Sequence, residues 1–126
     1  MWAGDFNSSP SSSIYQRISS LQLLHSAYSL FPASLHANYP PPIEHHDPST
    51  TTEAAAVHDA PYTTWKVRAN GEVRRTIDFI WFEHSKLAVT HLLEPPSTDL
   101  LLPNALPSRH YPSDHVAIGA AFTWRS

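Results

Sequence analysis

Three polar groupings carry the chemistry this sequence can offer: Asp5 and Asn7 in GDFN, Asp78 in TIDFIWF, and Asp114 with His115 in YPSDH. In extended chain every second side chain shares a face. Residues 2 to 7 therefore read as the end of a β-strand that presents Asp5 and Asn7 on one side. A carboxylate beside a carboxamide at a strand end can hold a metal ion, a water or a phosphate oxygen. Asp78 sits among apolar neighbours, where a lone ionised carboxylate is costly and demands a partner. His115 is the obvious candidate. An Asp–His couple orients the imidazole and raises its basicity, which is how histidines are prepared to contact or protonate phosphates. The same couple is also compatible with a structural buried hydrogen bond, and GDFN alone with an ordinary turn.

These residues need a scaffold, and the chain supplies its parts in order. Ile14, Ile18, Leu21 and Tyr28 fall at helical spacing and Ser13 with Gln16 fits a capping box, which predicts a helix from about Ser11 to Ser29. Residues 36 to 60 lack periodicity and contain a Pro triplet and a Thr run, the pattern of a disordered surface insertion. Two β-rich runs then flank Asn70-Gly71, a strong hairpin signal. In TIDFIWF nearly every position except Asp78 is apolar, so that strand is expected to be covered on both faces. SKLAVTHLL predicts another short strand, and PPSTDLLLPNALPSRHYP a long proline-punctuated connection. Val116 to Trp124 reads as a closing strand on which Ala117, Gly119 and Ala121 share one face and permit close packing. Helix, hairpin and buried strands together point to a layered α+β fold.

Composition narrows the function classes. The 126 residues suffice for one small domain, and 41% apolar content is low-normal for a globular one. Twelve prolines against three glycines imply long irregular segments. With no cysteine, a disulfide framework and a thiolate metal site are excluded. No apolar run reaches about 18 residues, so no membrane span is expected, and the opening residues lack the pattern of a signal peptide. A formal charge of −3 argues against bulk electrostatic binding of nucleic acid, so any phosphate recognition must be local. His45, His46 and Asp47 could bind a transition metal, but adjacent ligands in an irregular loop lack fixed geometry. His25, His36, His58, His84, His91 and His110 read as surface or loop. Trp65, Trp81 and Trp124 read as core, with base stacking by Trp65 as an alternative.

GDFN, TIDFIWF and YPSDH, in that order, resemble the signature of the endonuclease/exonuclease/phosphatase family, to which deoxyribonuclease I belongs. Within it, PYTTWKVRANGEVRRTIDFIW and LPSRHYPSDHVAI look most like the nocturnin branch, with deadenylases of the carbon-catabolite-repressor type as the next relatives. The resemblance covers residues 1 to about 30 and 60 to 126. It implies an α+β chain forming the C-terminal half of a four-layered α/β/β/α sandwich, truncated, with residues 1–126 a partial domain and the missing N-terminal half as its partner. An upstream Asn and the Glu that is the main Mg²⁺ ligand in relatives would be absent.

By the same resemblance the activity is Mg²⁺-dependent hydrolysis of a phosphoester by in-line attack of water. Asp5 positions or activates the water and binds metal. Asn7 holds a phosphate oxygen, His115 contacts the phosphate and is oriented by Asp78, and Asp114 sits in the metal or metal-water shell. Adjacent strand residues face opposite ways, so Asp114 and His115 can share a site only if Pro112 and Ser113 keep that segment irregular. Arg68 matches an arginine that contacts the phosphates of a dinucleotide. A two-residue Asn70-Gly71 loop, however, would pair Arg68 with Val73 and place it opposite to Asp78. A bulge would restore the shared face, and the alternative is that Lys66, Arg68, Arg74 and Arg75 form a solvated basic hairpin. The implied substrate is NADP(H), losing its 2′-phosphate to give NAD(H). The alternatives are a 3′ exoribonuclease acting on the 3′ end of poly(A) RNA and a catalytically inactive fragment. The implied location is intracellular, cytoplasmic or mitochondrial.

Overall fold

In the computed structural model of the chain, residues 1–43, 59–69, 71–102 and 104–126 are described. The fold is organised around one aromatic strand. TIDFIWF forms β5 (Asp78–Glu83), in which Phe79, Ile80, Trp81 and Phe82 are all buried, as its apolar run implies. It is flanked by β1 (Trp2–Asp5) and β2 (Leu24–Ser26), both antiparallel to it, in the order β1-β5-β2. Alternation then divides its side chains. Phe79 and Trp81 pack under Tyr15 with Phe6, Ile18 and Leu24, while Ile80 and Phe82 meet Ala27, Tyr28 and Phe31 on the other side. Leu87, Val89, Ile118 and Phe122 close that second layer. Burying each such side chain is worth roughly 1.5–3 kcal/mol, so β5 is the main apolar contribution to the fold.

The helix over these aromatics, α1, spans Ser13–Ser20 and is shorter than its periodicity suggests. Its cap is Ser12, whose hydroxyl accepts the Tyr15 N–H at 3.2 Å, and the Gln16 amide donates to the Ser11 carbonyl at 3.2 Å. The capping pair is thus one residue earlier than expected. The helix stops because Gln22 adopts φ 54° and Leu24–Ser26 pairs with the edge of β5, a tertiary contact that overrides local propensity. A 3₁₀ turn, Ala27–Leu30, then carries Tyr28 into the core. Its hydroxyl donates to the Leu93 carbonyl at 2.6 Å and accepts from the Gly119 N–H at 3.1 Å. A single-turn helix, α2 (Ala33–His36), follows.

β3 (Thr64–Arg68) and β4 (Gly71–Arg75) form the hairpin, but its register places Arg68 opposite Gly71 rather than Val73. Gly71, at φ 127°, opens β4 instead of occupying the turn. The reason lies across the strands. In the observed register Trp65 faces Arg74, whose guanidinium lies 4.5 Å above the indole ring, and the Trp65 indole N–H donates to Glu72 at 2.8 Å. Arg74 also pairs with Glu72 at 2.5 Å. Shifting to the expected register would oppose Trp65 with Thr76 and break this trio. Trp65 is 4% exposed, so it is core and unavailable for base stacking.

β6 (Leu87–Leu92) pairs with β7 (Ala120–Trp124) across a bulge at Val89/His91, and α3 (Thr98–Leu101) lies in the proline-punctuated connection. The closing strand is shorter than Val116 to Trp124. The Val116 N–H donates to the Thr63 carbonyl and the Gly119 carbonyl accepts from Leu93, both at 2.8 Å, which holds 116–119 outside the ladder. A side chain at Gly119 would crowd Leu93 at 3.3 Å, which explains the small residue there. Trp124, expected in the core, is 76% exposed at the end of β7.

Most of the expected insertion, 44–58, lies outside the described residues, as do His45, His46, Asp47 and His58. Its flanks are built into the fold rather than lying loose on the surface. Ile43 exchanges both backbone hydrogen bonds with Arg74 at 2.8 Å, Tyr39 packs against two core clusters, and Asp59 is buried. Among the described residues no helix is long and apolar enough to cross a membrane.

Asp59 generates a stability test. Its carboxylate accepts from the Tyr15 hydroxyl and from the Ala60 N–H, each at 2.8 Å, yet burial pushes its carboxyl above the usual carboxylate range. The folded chain therefore binds this proton more tightly than the unfolded chain. The contribution favours folding at low pH and declines as pH rises from the ordinary carboxylate value to the raised one. In Asp59→Asn the amide can accept from Ala60 and donate to the Tyr15 hydroxyl without carrying charge. This variant is expected to melt higher at pH 7 by about 4 °C or more, the shift roughly 1 kcal/mol gives in a small domain, and to lose the pH dependence of that limb. Thermal melts between pH 3 and 8 check it, and a lower Tm at every pH would refute it.

Candidate active site

The site begins where β1 ends. Asp5, the last residue of β1, lies directly opposite Asp78, the first of β5, and the Phe6 N–H closes the ladder on the Ile77 carbonyl at 2.8 Å. Like charges opposed across strands repel, so this pair needs a positive neighbour. His115 supplies one when protonated: its Nδ1 is 2.8 Å from Asp78 Oδ2, with the two side chains 25% and 16% exposed. Donor atoms of Asp5, Asp78 and His115 all fall within 4.8 Å of one another. The long-range Asp–His couple inferred from sequence is therefore assembled.

Asn7 meets Asp5 through its backbone, in a turn rather than by strand alternation. It adopts φ 49°, and its N–H donates to Asp5 Oδ1 at 2.8 Å. The expectation that extended backbone would align the two side chains is thus replaced by an Asx-type turn made by Asp5, with Asn7 at a positive φ that Asn tolerates well. This turn uses one oxygen of Asp5, and the bond to His115 uses one of Asp78. Oxygen donors on two carboxylates, with a neighbouring imidazole, fit a hard divalent cation such as Mg²⁺, which takes one or two carboxylates and keeps waters.

The segment carrying Asp114 and His115 is irregular, as Pro112 and Ser113 imply. Ser113 Oγ accepts the His115 N–H at 3.1 Å, His115 bridges to Thr64, and the Thr64 hydroxyl donates to the Asp114 carbonyl at 2.8 Å. Asp114 itself is not part of the three-residue cluster. Its carboxylate contacts Lys66 Nζ at 2.7 Å, and that ammonium holds the carboxyl below the usual carboxylate range. Sequence reasoning missed this pairing. Its only trace is that Lys66 alternates with Thr64 along β3 and so shares its face.

The same alternation places Arg68. In the observed register Thr64, Lys66 and Arg68 line one face of the hairpin, the face that meets Asp114, and Arg68 is exposed. Pairing with Gly71 or with Val73 leaves Arg68 on this same face, and the break at residues 76–77 between β4 and β5, rather than a bulge, is what separates that face from the alternation of Asp78. The hairpin is not uniformly solvated, because Arg74 is 5% exposed and committed to Trp65, Glu72 and the Pro41 carbonyl. The remaining described histidines lie elsewhere. His25 and His84 stack on each other at 4.0 Å, and burial, reinforced by His84, pushes His25 below its ordinary value. His36 packs edge-on against Phe31, and His91 and His110 are exposed.

Comparison with known proteins identifies the family. Residues 1–115 match the endonuclease/exonuclease/phosphatase family. The chain is 37% identical to rat nocturnin over 122 residues, covering 96% of the chain and 24% of that protein, and 34% identical to human nocturnin, covering 96% and 23%. It is 31% identical over 121 residues to the CCR4-Not complex 3′-5′-exoribonuclease subunit Ccr4 of Phaeosphaeria nodorum, covering 94% and 19%. The chain thus spans about a quarter or less of the length of these relatives. Extending over nearly the whole chain, the match places the chain in the endonuclease/exonuclease/phosphatase family, with the α+β fold of deoxyribonuclease I-like proteins.

Proposed function

We propose that the chain carries the phosphate-facing half of a hydrolytic site that removes the 2′-phosphate of NADP(H) to give NAD(H). The observation that carries the hydrolytic reading is the Asp78–His115 couple set opposite Asp5, with donor atoms within 4.8 Å. The similarity to nocturnins and the exposed Arg68 on the Asp114 face support the dinucleotide as substrate. A 3′ exoribonuclease acting on poly(A) is the second reading, supported by the similarity to a Ccr4 3′-5′-exoribonuclease subunit.

The chain's own residues divide the work. Asp78 engages Nδ1 of His115, so Nε2 is the atom turned to the substrate, where it contacts a phosphate oxygen. The carboxamide of Asn7 donates to another phosphate oxygen, and Asp5 orients the attacking water. Arg68 contacts the dinucleotide's phosphates, while Lys66 neutralises Asp114 so that its charge does not repel them. Asp5 and Asp78 are the residues that would hold Mg²⁺, with Asp114 near its water shell. When bound, the ion would polarise the phosphoryl oxygen and offset developing charge.

Phosphate release from NADP, NADPH and oligo(A) by one preparation tests the reading. Hydrolysis of NADP is expected to be lost on chelation, restored by Mg²⁺, and reduced about 10²–10⁴-fold by His115→Ala. Absence of turnover on all three substrates would leave the inactive-fragment alternative standing.

Substrate choice is read from Arg68→Ala. Loss of a charge-assisted contact of about 1.5–3 kcal/mol should lower kcat/KM for NADP roughly 10- to 150-fold while oligo(A) cleavage falls far less. Unchanged NADP turnover in a folded variant would remove the dinucleotide reading.

A further inference from the structure

Thr63 is completely buried beside the site, and its polar groups all face inward to backbone. Its N–H donates to the Arg75 carbonyl at 2.8 Å and its carbonyl accepts from the Val116 N–H at 2.8 Å. Its hydroxyl oxygen accepts twice, from the Ile77 N–H at 2.9 Å and the Asp78 N–H at 3.1 Å. These two donors lie where the chain leaves β4 and enters β5, a break in which neither sheet ladder provides an acceptor for them. Buried backbone donors must be satisfied, and here a side-chain oxygen does it.

The consequence is geometric. One face of Thr63 fixes the peptide of Asp78, and its carbonyl fixes the peptide of Val116, immediately after His115. We infer that Thr63 is a positioning residue: its buried hydroxyl and carbonyl set the separation between the Asp78 carboxylate and the His115 imidazole. It touches neither substrate nor reacting atoms. Its effect on catalysis rests on the reading of Asp78–His115 as the hydrolytic couple, whereas its effect on their geometry does not.

The test uses the tautomer of His115. A proton shared from Nδ1 to Asp78 fixes neutral His115 in the Nδ1–H form, which ¹⁵N NMR of the histidine-labelled chain distinguishes from the Nε2–H form. Thr63→Val, which keeps the shape but removes the acceptor, is expected to abolish the Nδ1–H signature while His91 and the overall fold are unaffected. Thr63→Ser, which keeps the oxygen, should retain it. Thr76→Val is the control: Thr76 is also buried but donates to the Ala60 carbonyl at 2.6 Å, and its loss should leave His115 unchanged.

A folded Thr63→Val with the wild-type His115 signature overturns the proposal. If that variant does not fold, Thr63→Ser decides alone: it must keep both the Nδ1–H form and slow exchange of the Ile77 and Asp78 amides, and loss of either overturns the proposal. In turnover assays Thr63→Val should lower kcat for NADP by about 10²-fold with little change in KM. The functional reading fails separately, if the tautomer responds as stated but His115→Ala leaves hydrolysis intact.

Discussion

Two carboxylates face each other across adjacent antiparallel strands, and the rest of the architecture answers that repulsion. Asp5 and Asp78 occupy directly opposed positions at the end of the β1–β5 ladder. An apolar alternative would be more stable there, since opposed like charges weaken a sheet. The fold instead brings the distant C-terminal segment back to the strand end, so that His115 meets Asp78. Returning that segment requires anchor points, and the two threonines at the head of the hairpin provide them through Val116 and Asp114. The aromatic body of β5 supplies the apolar stabilisation against which this polar end is held.

The cationic residues are sorted by the same hairpin. On one face Arg74 is buried, and the two terminal nitrogens of its guanidinium are held by Glu72 and a carbonyl over the face of Trp65, while its Nε has no hydrogen-bond partner among the described residues. A buried guanidinium without such partners would be strongly destabilising. On the other face Lys66 is half-buried against Asp114 and Arg68 points to solvent. Alternation along two short strands thus converts an undifferentiated basic stretch into a buried structural cation on one face and more exposed cations on the other.

How much of this could be read from the sequence depends on how local the deciding interaction is. The burial of TIDFIWF was legible because an unbroken apolar run needs no partner to be recognised. The need for a partner at Asp78 was legible for the same reason, and His115 met it. The helix was overextended because the fate of Leu24–Ser26 is decided by a free edge of β5 far away in the chain. The hairpin register was missed because Asn70-Gly71 signals a turn locally, while Trp65, Glu72 and Arg74 choose the pairing across the strands. Lys66 and Asp114 carry no sequence mark of their contact, which only the folded backbone creates.

The anchoring of Ile43 on β4 and of Asp59 beneath α1 has a consequence for how such a domain can diversify. With both attachment points secured by backbone pairing and burial, the length of chain between them is decoupled from the geometry of the strand ends. Doubling the length of a loop closed between two fixed ends costs only about 0.6 kcal/mol in closure entropy. This junction is therefore a graft point: a reporter peptide or an additional binding module could be spliced between Ile43 and Asp59 with Asp5, Asp78 and His115 left in register.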